Sequence, residues 1–599
     1  MMKQKYINIL TSLLIVVGVN ISTTTYAQQN LNETLTVEGE YDATIRRQER
    51  INISPTKADI NLPKISLPFA SSGVTITESP EIFALPITGW QTTRQINNQK
   101  GYFELGIGSY LNIAANVGYL FINNEKSTLG VTLQHNSSSL FSPFEYNWEN
   151  VATNLPDKST RKRSDSRIAL YGSLSLGSGI LSADIDYHYG YFNYYGLPQQ
   201  YIGQYGEIPT QQLNDFQFNA KWLDKWQKHN ISYNIGLKLQ HFGYRNAYDI
   251  DYTQTLTKTN PQKENHLTII AGVDKKWNNR NTIGVDVNAD LLFYSNRENE
   301  LHINNYTNIR LTPYYSYQFN NLNITAGANI DIISETSHLC INKTDNNKFS
   351  GVHISPDINL GWRKSNFGIY LHALGGMELN TLASNYYLDY YQSPTINSSI
   401  PIYSPIDGRI GLTWHAFPGF SADISFAYKI TNNTPLGGTY LLNSYIKTGQ
   451  EYADINIKGF SIATDLKYKF INRATIELSG SYQPQNCENG YFNGYDRPRW
   501  ILNAKGSVNI WKSLDLSLSY QYRGVRNLYY LPDFTTNQEY NSLRLDDIYL
   551  LNVGVSYRLL NNRLTIWGEA NNLLNSTAGL SPLYETEGFN FMLGVGITF

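Results

Sequence analysis

The chain has 599 residues, only 16% of them charged, and a formal net charge of −2. A charged fraction well below the roughly 25% of ordinary globular proteins argues against a conventional soluble assembly, and the lack of a basic arm or Arg-rich stripe argues against nucleic-acid binding. Aromatic residues make up 13% of the chain, with 46 Tyr against 4 Met and 2 Cys; amphipathic rings in that excess suit strands that cross a lipid–water boundary.

In chain order, residues 1–27 read as a secretory signal peptide. Lys3 and Lys5 supply positive charge, Ile9 to Val19 an apolar core, and Thr25-Tyr26-Ala27 a cleavage site before Gln28. The core is much shorter than the roughly 20 residues that a spanning helix needs. Residues 28–100 form an N-terminal arm, expected in the periplasm or the lumen. It carries Leu35-Thr-Val-Glu-Gly-Glu-Tyr, then Arg46-Arg-Gln-Glu-Arg, then Pro55, Pro63, Pro68 and Pro80. No second long apolar run follows the signal, and mean hydropathy is −0.37. Membrane strands escape that measure because their lipid-facing and lumen-facing residues alternate.

From Gly101 to Phe599 such alternation recurs. Ile231, Tyr233, Ile235, Leu237 and Leu239 share one face of a segment, as do Leu514, Leu516, Leu518, Tyr520 and Tyr522. Phe460, Ile462, Thr464, Leu466, Tyr468 and Phe470 oppose Ser461, Asp465, Lys467 and Lys469. The final segment sets Phe589, Phe591, Leu593, Val595, Ile597 and Phe599 against Asn590, Met592, Gly594, Gly596 and Thr598. Period-two patterns of this length predict strands able to cross hydrocarbon when tilted.

Short polar turns near Asn123–Glu125, Gly177-Ser178, Asp224–Lys228, Asn278–Arg280, Asn320-Asn321 and Lys364-Ser365 alternate with longer polar stretches near 137–165, 193–211, 243–262, 295–303, 335–348 and 380–403. The series continues through Phe417–Gly419, Asn472, Lys512-Ser513 and Asn561-Asn562, with longer stretches near 431–449, 485–496, 526–543 and 575–586. One tight connection falls near Ser109-Tyr110. Short periplasmic turns and long outer loops are the plan of an outer-membrane barrel, and the count predicts an all-β, transmembrane antiparallel β-barrel of about 22 strands over residues 101–599. An even number puts both barrel ends in the periplasm. A propeller or β-helix would need a repeated unit, which the sequence lacks.

Gly101-Tyr-Phe-Glu-Leu-Gly-Ile-Gly-Ser-Tyr, Asn112, Gly118 and His135-Asn-Ser-Ser resemble the opening of TonB-dependent receptor barrels. Trp567-Gly-Glu-Ala-Asn-Asn-Leu-Leu-Asn, Gly588 and the strand ending at Phe599 resemble their ending. The arm is shorter than the plug domain of those receptors and lacks its Gly-rich motifs, so the likeness is to a plug-less subgroup. The resemblance implies an outer-membrane location, nutrient uptake, and the TonB complex as a partner. Glu33, Thr34, Leu35, Thr36 and Val37 then stand where a TonB box would, as an extended strand that adds to a sheet edge of the coupling protein; an arm folding back toward the lumen is the competing reading. If the arm neither plugs the lumen nor reaches TonB, the residues fit a passive porin or a barrel subunit docking a surface lipoprotein. Outer-membrane lipid and the barrel assembly machinery, which a terminal aromatic suits, complete the implied partners.

No catalytic signature, cofactor motif or metal-ligand spacing is present. Asp184, Asp186 and His188 share one strand face and read as polar lining of a wet lumen rather than a cation or acid–base site. Lys158, Arg161, Lys162 and Arg163 read as a solvated charge run, with lipopolysaccharide phosphates as the alternative ligand. Tyr386, Tyr387, Tyr390 and Tyr391 crowd an outer loop; ligand contact and loop packing remain equal readings. Lys467, Lys469, Arg558 and Arg563 are placed inward, offset by Glu477, Asp515 and Glu569. Cys340 and Cys487 fall in predicted outer loops, where the compartment permits a disulfide.

Overall fold

The computed structural model describes residues 100–142, 158–196, 208–226, 229–250, 256–278, 280–295, 305–335, 350–388, 391, 401–432, 436–437, 439–440, 450–451, 456–470, 473–487, 498–531, 541–581 and 584–599. The signal segment, the arm with Glu33–Val37, Cys340 and Tyr390 lie outside these residues.

Antiparallel strands follow one another around a closed barrel of 22. The short strand Gln485–Cys487 continues Ala474–Tyr482 along the same neighbour, Ile457–Phe470, and the two make one barrel strand. Cys487 therefore ends a strand rather than sitting in a loop. Closure comes from the first strand, Gly101–Gly108, pairing with the last, Asn590–Thr598. Phe599 and Gly101 exchange backbone hydrogen bonds of 2.9 and 3.0 Å at one end of this seam. Inside the seam the Trp567 indole lies across Gly106 and Gly594, where any Cβ would collide with it.

The alternation predicted for the strands is present in the side chains. Ile185, Phe216, Leu239, Ile283, Ile424, Phe460, Leu502 and Ile566 are exposed on the outer wall. The last strand turns Phe591, Leu593, Val595 and Ile597 outward while Met592 and Thr598 are buried inside. Such apolar exposure is unfavourable in water and favourable in lipid. No helix among the described residues is long and apolar enough to cross a membrane; the crossing is made by strands.

The short turns have local causes. Asn124 Oδ1 accepts from the backbone N–H of Lys126 and Ser127, and Asn278 Oδ1 from those of Arg280 and Asn281. These side chains satisfy backbone donors that leave the ladder. At the opposite end, Ser109–Leu111 closes the first hairpin with Tyr110 and Leu111 at φ of 60° and 51°.

Besides the stretch that begins at Gln485, one long loop is much shorter than predicted. Strands Ser127–Ser142 and Ser159–Leu176, of 16 and 18 residues, run well into the stretch 137–165 expected to be loop. Roughly 9–11 residues suffice to cross the hydrocarbon, so this hairpin projects beyond it. Its polarity reflects water on the outer side rather than an end to pairing.

Candidate functional site

Phe599 shares its end of the barrel with the short turns, so the long loops emerge at the outer end. Several of them fold back on the inner wall. The loop after strand Phe367–Glu378 contributes helix Leu382–Leu388. Its start is fixed by reciprocal hydrogen bonds, Ser384 N–H to Thr381 Oγ1 and Thr381 N–H to Ser384 Oγ, each 2.9 Å. This pairing has the logic of a capping box. The Leu382 N–H also donates to Glu264 Oε2 of the wall at 2.7 Å. A buried carboxylate thus meets the positive end of a short helix.

The helix presents Tyr386 and Tyr387 to the wall. Tyr386 is buried against Phe242, Tyr244 and His188. The Tyr387 hydroxyl donates to Asp215 Oδ2 at 2.8 Å and lies 3.1 Å from His188 Nδ1. Burial, followed by the Asp215 charge, raises the Tyr387 hydroxyl well above its ordinary range, so it stays a donor. Asp215 also accepts from Gln217 and Gln240 at 2.8 and 2.9 Å. Tyr387→Phe keeps the ring and removes one donor from a buried carboxylate, at an expected cost of about 1–3 kcal/mol. The urea midpoint of the refolded barrel measures this; an unchanged midpoint would mean that the two glutamines satisfy Asp215 alone.

Tyr391 stacks on Tyr584 of the last loop, ring centroids 3.8 Å apart, and meets Phe192 and Tyr195 edge-on. Arg161 pairs with the buried Glu585 and lies over the Tyr195 ring at 4.8 Å. The Glu585 N–H donates to Tyr195 Oη, and Tyr195 Oη to the Glu585 carbonyl. Burial also raises the Glu587 carboxyl nearby, against the pull of Arg163 and Arg161. Together Phe192, Tyr194, Tyr195, Leu213, Phe242, Tyr244, Tyr248, Leu292, Tyr294 and Tyr306 receive Leu382, Ala383, Tyr386, Tyr391 and Tyr584 in one continuous core. The result is an aromatic plate on the inner wall at the outer end.

The plate is rooted at its near edge. Arg310 donates to Asp331 through Nε at 2.8 Å and to the Met377 carbonyl through Nη2 at 2.7 Å. The Met377 N–H donates back to Asp331 at 3.2 Å. Gly376 adjoins this clamp with φ +134°, and a Cβ there would strike the Arg310 guanidinium.

Of the residues singled out from sequence, Tyr386 and Tyr387 come together with His188, and Tyr391 joins the same core against Phe192 and Tyr195. Asp186 is gripped by Arg167 Nε at 2.7 and 2.8 Å, and Asp184 accepts from Asn219. The run Lys158–Arg163 divides across the wall: Arg161 and Arg163 turn inward to carboxylates, while Lys158 lies over Phe141. A strand cannot present consecutive residues to one ligand. Lys467 pairs with Glu477 at 2.5 Å and Arg558 with Asp515 at 2.9 Å. No group of metal-ligating side chains occurs among the described residues.

Asp215, Glu264, Arg310, Asp331 and Tyr584 were not legible as site residues. Their signal lay in parity. Phe192, Leu213, Phe242, Leu292 and Tyr306 are apolar at positions where the alternation calls for a wet lumen, and they mark the stretch of wall that the plate covers.

No protein-family model and no curated protein matches the sequence. Solved structures do. The chain is similar to the FrpB iron transporter from Neisseria meningitidis (F3-3 variant), with TM-score 0.60, 9% identity, and 84% of this chain and 82% of that chain covered. It is similar to the ferric-catecholate import receptor Fiu from E. coli K12, with TM-score 0.59, 9% identity, and the same coverage of 84% and 82%. A ferric enterobactin receptor mutant from Pseudomonas aeruginosa in complex with enterobactin gives TM-score 0.60 and 12% identity over 84% of this chain and 81% of that one. These neighbours are TonB-dependent receptors, and the likeness establishes a shared fold. The chain is an outer-membrane β-barrel with the 22-strand architecture of that group.

Proposed function

We propose that this barrel takes part in TonB-energised nutrient uptake across the outer membrane. The observation that carries this reading is the aromatic plate fixed to the inner wall at the outer end. A general porin depends on a water-lined passage, whereas a receptor holds its lumen obstructed until cargo and energy are both present. FrpB is an iron transporter and Fiu imports a ferric catecholate; both support import of a scarce nutrient as the class of activity. In this reading Glu33–Val37 in the arm, residues 28–100, is the strand that engages TonB. Tyr386, Tyr387, Tyr390 and Tyr391 meet cargo when the plate leaves the wall.

Two measurements on the full chain test the proposal. In planar bilayers it should show no large steady conductance; a stable wide pore would replace the receptor reading with a porin. The purified protein should be captured by the periplasmic domain of TonB, and scrambling residues 33–37 should abolish capture. Failure of the intact chain to bind would remove the energy-coupled part of the proposal.

A further inference from the structure

The outer wall carries a second feature, a cleft that meets the plate at Tyr244. Strands Thr210–Trp226, Ile231–Tyr244 and Lys263–Lys276 are consecutive neighbours in the barrel. Their outward positions change character toward the outer end. Phe216 and Leu239 are exposed to lipid, 41% and 40% accessible. Two residues further along each outward row stand Asn214 and His241, and beyond them Gln212, Arg245 and Lys263. Two residues of strand advance about 7 Å; Lys263 faces Gly243, four positions beyond Leu239, and Arg245 lies six beyond, so the cationic groups stand above the apolar band, on the headgroup side.

These residues do not form a flat surface. Asn214, His241, Arg245, Pro261 and Lys263 border a cleft of about 340 Å³, within the range of small-molecule sites. The His241 ring is held by Nδ1 donating to Asn265 Oδ1 at 2.8 Å. Arg245 is oriented through Nη1, which donates to Gln212 Oε1 at 2.6 Å. Among the described residues that line the cleft there is no carboxylate. An oriented guanidinium with an ammonium opposite is the donor set that favours phosphate, a fork for two oxygens beside a point charge. The adjoining Phe216 and Leu239 suit acyl chains.

We propose that this cleft binds the phosphate of an outer-leaflet glycolipid headgroup, with Arg245 and Lys263 as its charged contacts. The site differs from the Lys158–Arg163 run, whose alternate members face opposite sides of the wall. A phosphorylated lipid and free inorganic phosphate share the same anion chemistry, and the test must separate them.

The experiment uses the full chain in uncharged detergent, with bound diphosphorylated lipid A counted by native mass spectrometry. The double variant Arg245→Gln/Lys263→Gln should lower apparent affinity about tenfold. Lys467→Gln/Lys505→Gln removes the same charge elsewhere on the barrel and should leave binding unchanged. Dephosphorylated lipid A should bind the wild type no better than diphosphorylated lipid A binds the cleft variant. Inorganic phosphate at millimolar concentration should not displace the lipid. Heat-modifiable gel mobility verifies that each variant is folded. Equal loss in both double variants, equal binding of the dephosphorylated lipid, or displacement by free phosphate would each overturn the proposal.

Discussion

Replacing Arg310 with Leu is expected to destabilise the barrel by about 3–5 kcal/mol, the usual penalty for removing one partner of a buried ion pair. Asp331 has a side chain with 0% exposure and Arg310 one with 13%, so the carboxylate left behind could not recover its charge partner from water. Asn308 at 3.4 Å and the Met377 N–H at 3.2 Å would remain as its neutral donors. The same guanidinium anchors the Met377 carbonyl, where the chain leaves the wall to form the plate. The loss should therefore reach beyond two side chains and loosen the root of the loop. Adding Asp331→Leu removes the stranded charge and should return most of the stability, since paired replacement by apolar residues is often near neutral. Urea unfolding of refolded protein in vesicles provides the comparison. Additive losses in the double variant would mean that the pair acts through separate neighbours and that the clamp is misassigned.

Leu593→Arg should be nearly as damaging, for a different reason. Leu593 is 64% exposed near the middle of the last strand, opposite Ile107 and Gly568. On an outer wall in lipid, an arginine near the midplane costs about 2–4 kcal/mol. The fraction of protein inserted after dilution from urea into lipid vesicles should fall accordingly. Insertion equal to wild type would show that this face of the strand does not meet hydrocarbon.

The wall of this protein was readable because its physics is local and periodic. Each strand needs apolar residues at one parity and tolerates polar ones at the other, so Phe589 through Phe599 declared both a strand and a face. The turns were equally local: Asn124 and Asn278 close theirs with their own side chains. The plate was not readable for the converse reason. Helix Leu382–Leu388 is held by Glu264, Asp215 and His188, which lie 118 to 199 positions away along the chain. No window around residue 386 contains that information. Sequence placed the tyrosines in a loop and left contact and packing as equal readings. The structure puts the Tyr386 and Tyr391 rings into packing, and the apolar residues at lumen parity in five strands were the only trace of it. The charge run Lys158–Arg163 failed as a cluster because proximity in sequence is not proximity in a strand.

The seam between Gly101–Gly108 and Asn590–Thr598 bears on how the molecule comes into being. The first membrane strand to emerge from export has to wait for the last before its free edge is covered. Until Phe599 arrives, two unpaired edges persist, and unpaired edges recruit other chains. Maturation is thus tied to the arrival of the closing strand Asn590–Thr598. A chain truncated by a single strand would retain almost every local feature of the barrel and yet be a candidate for aggregation rather than insertion.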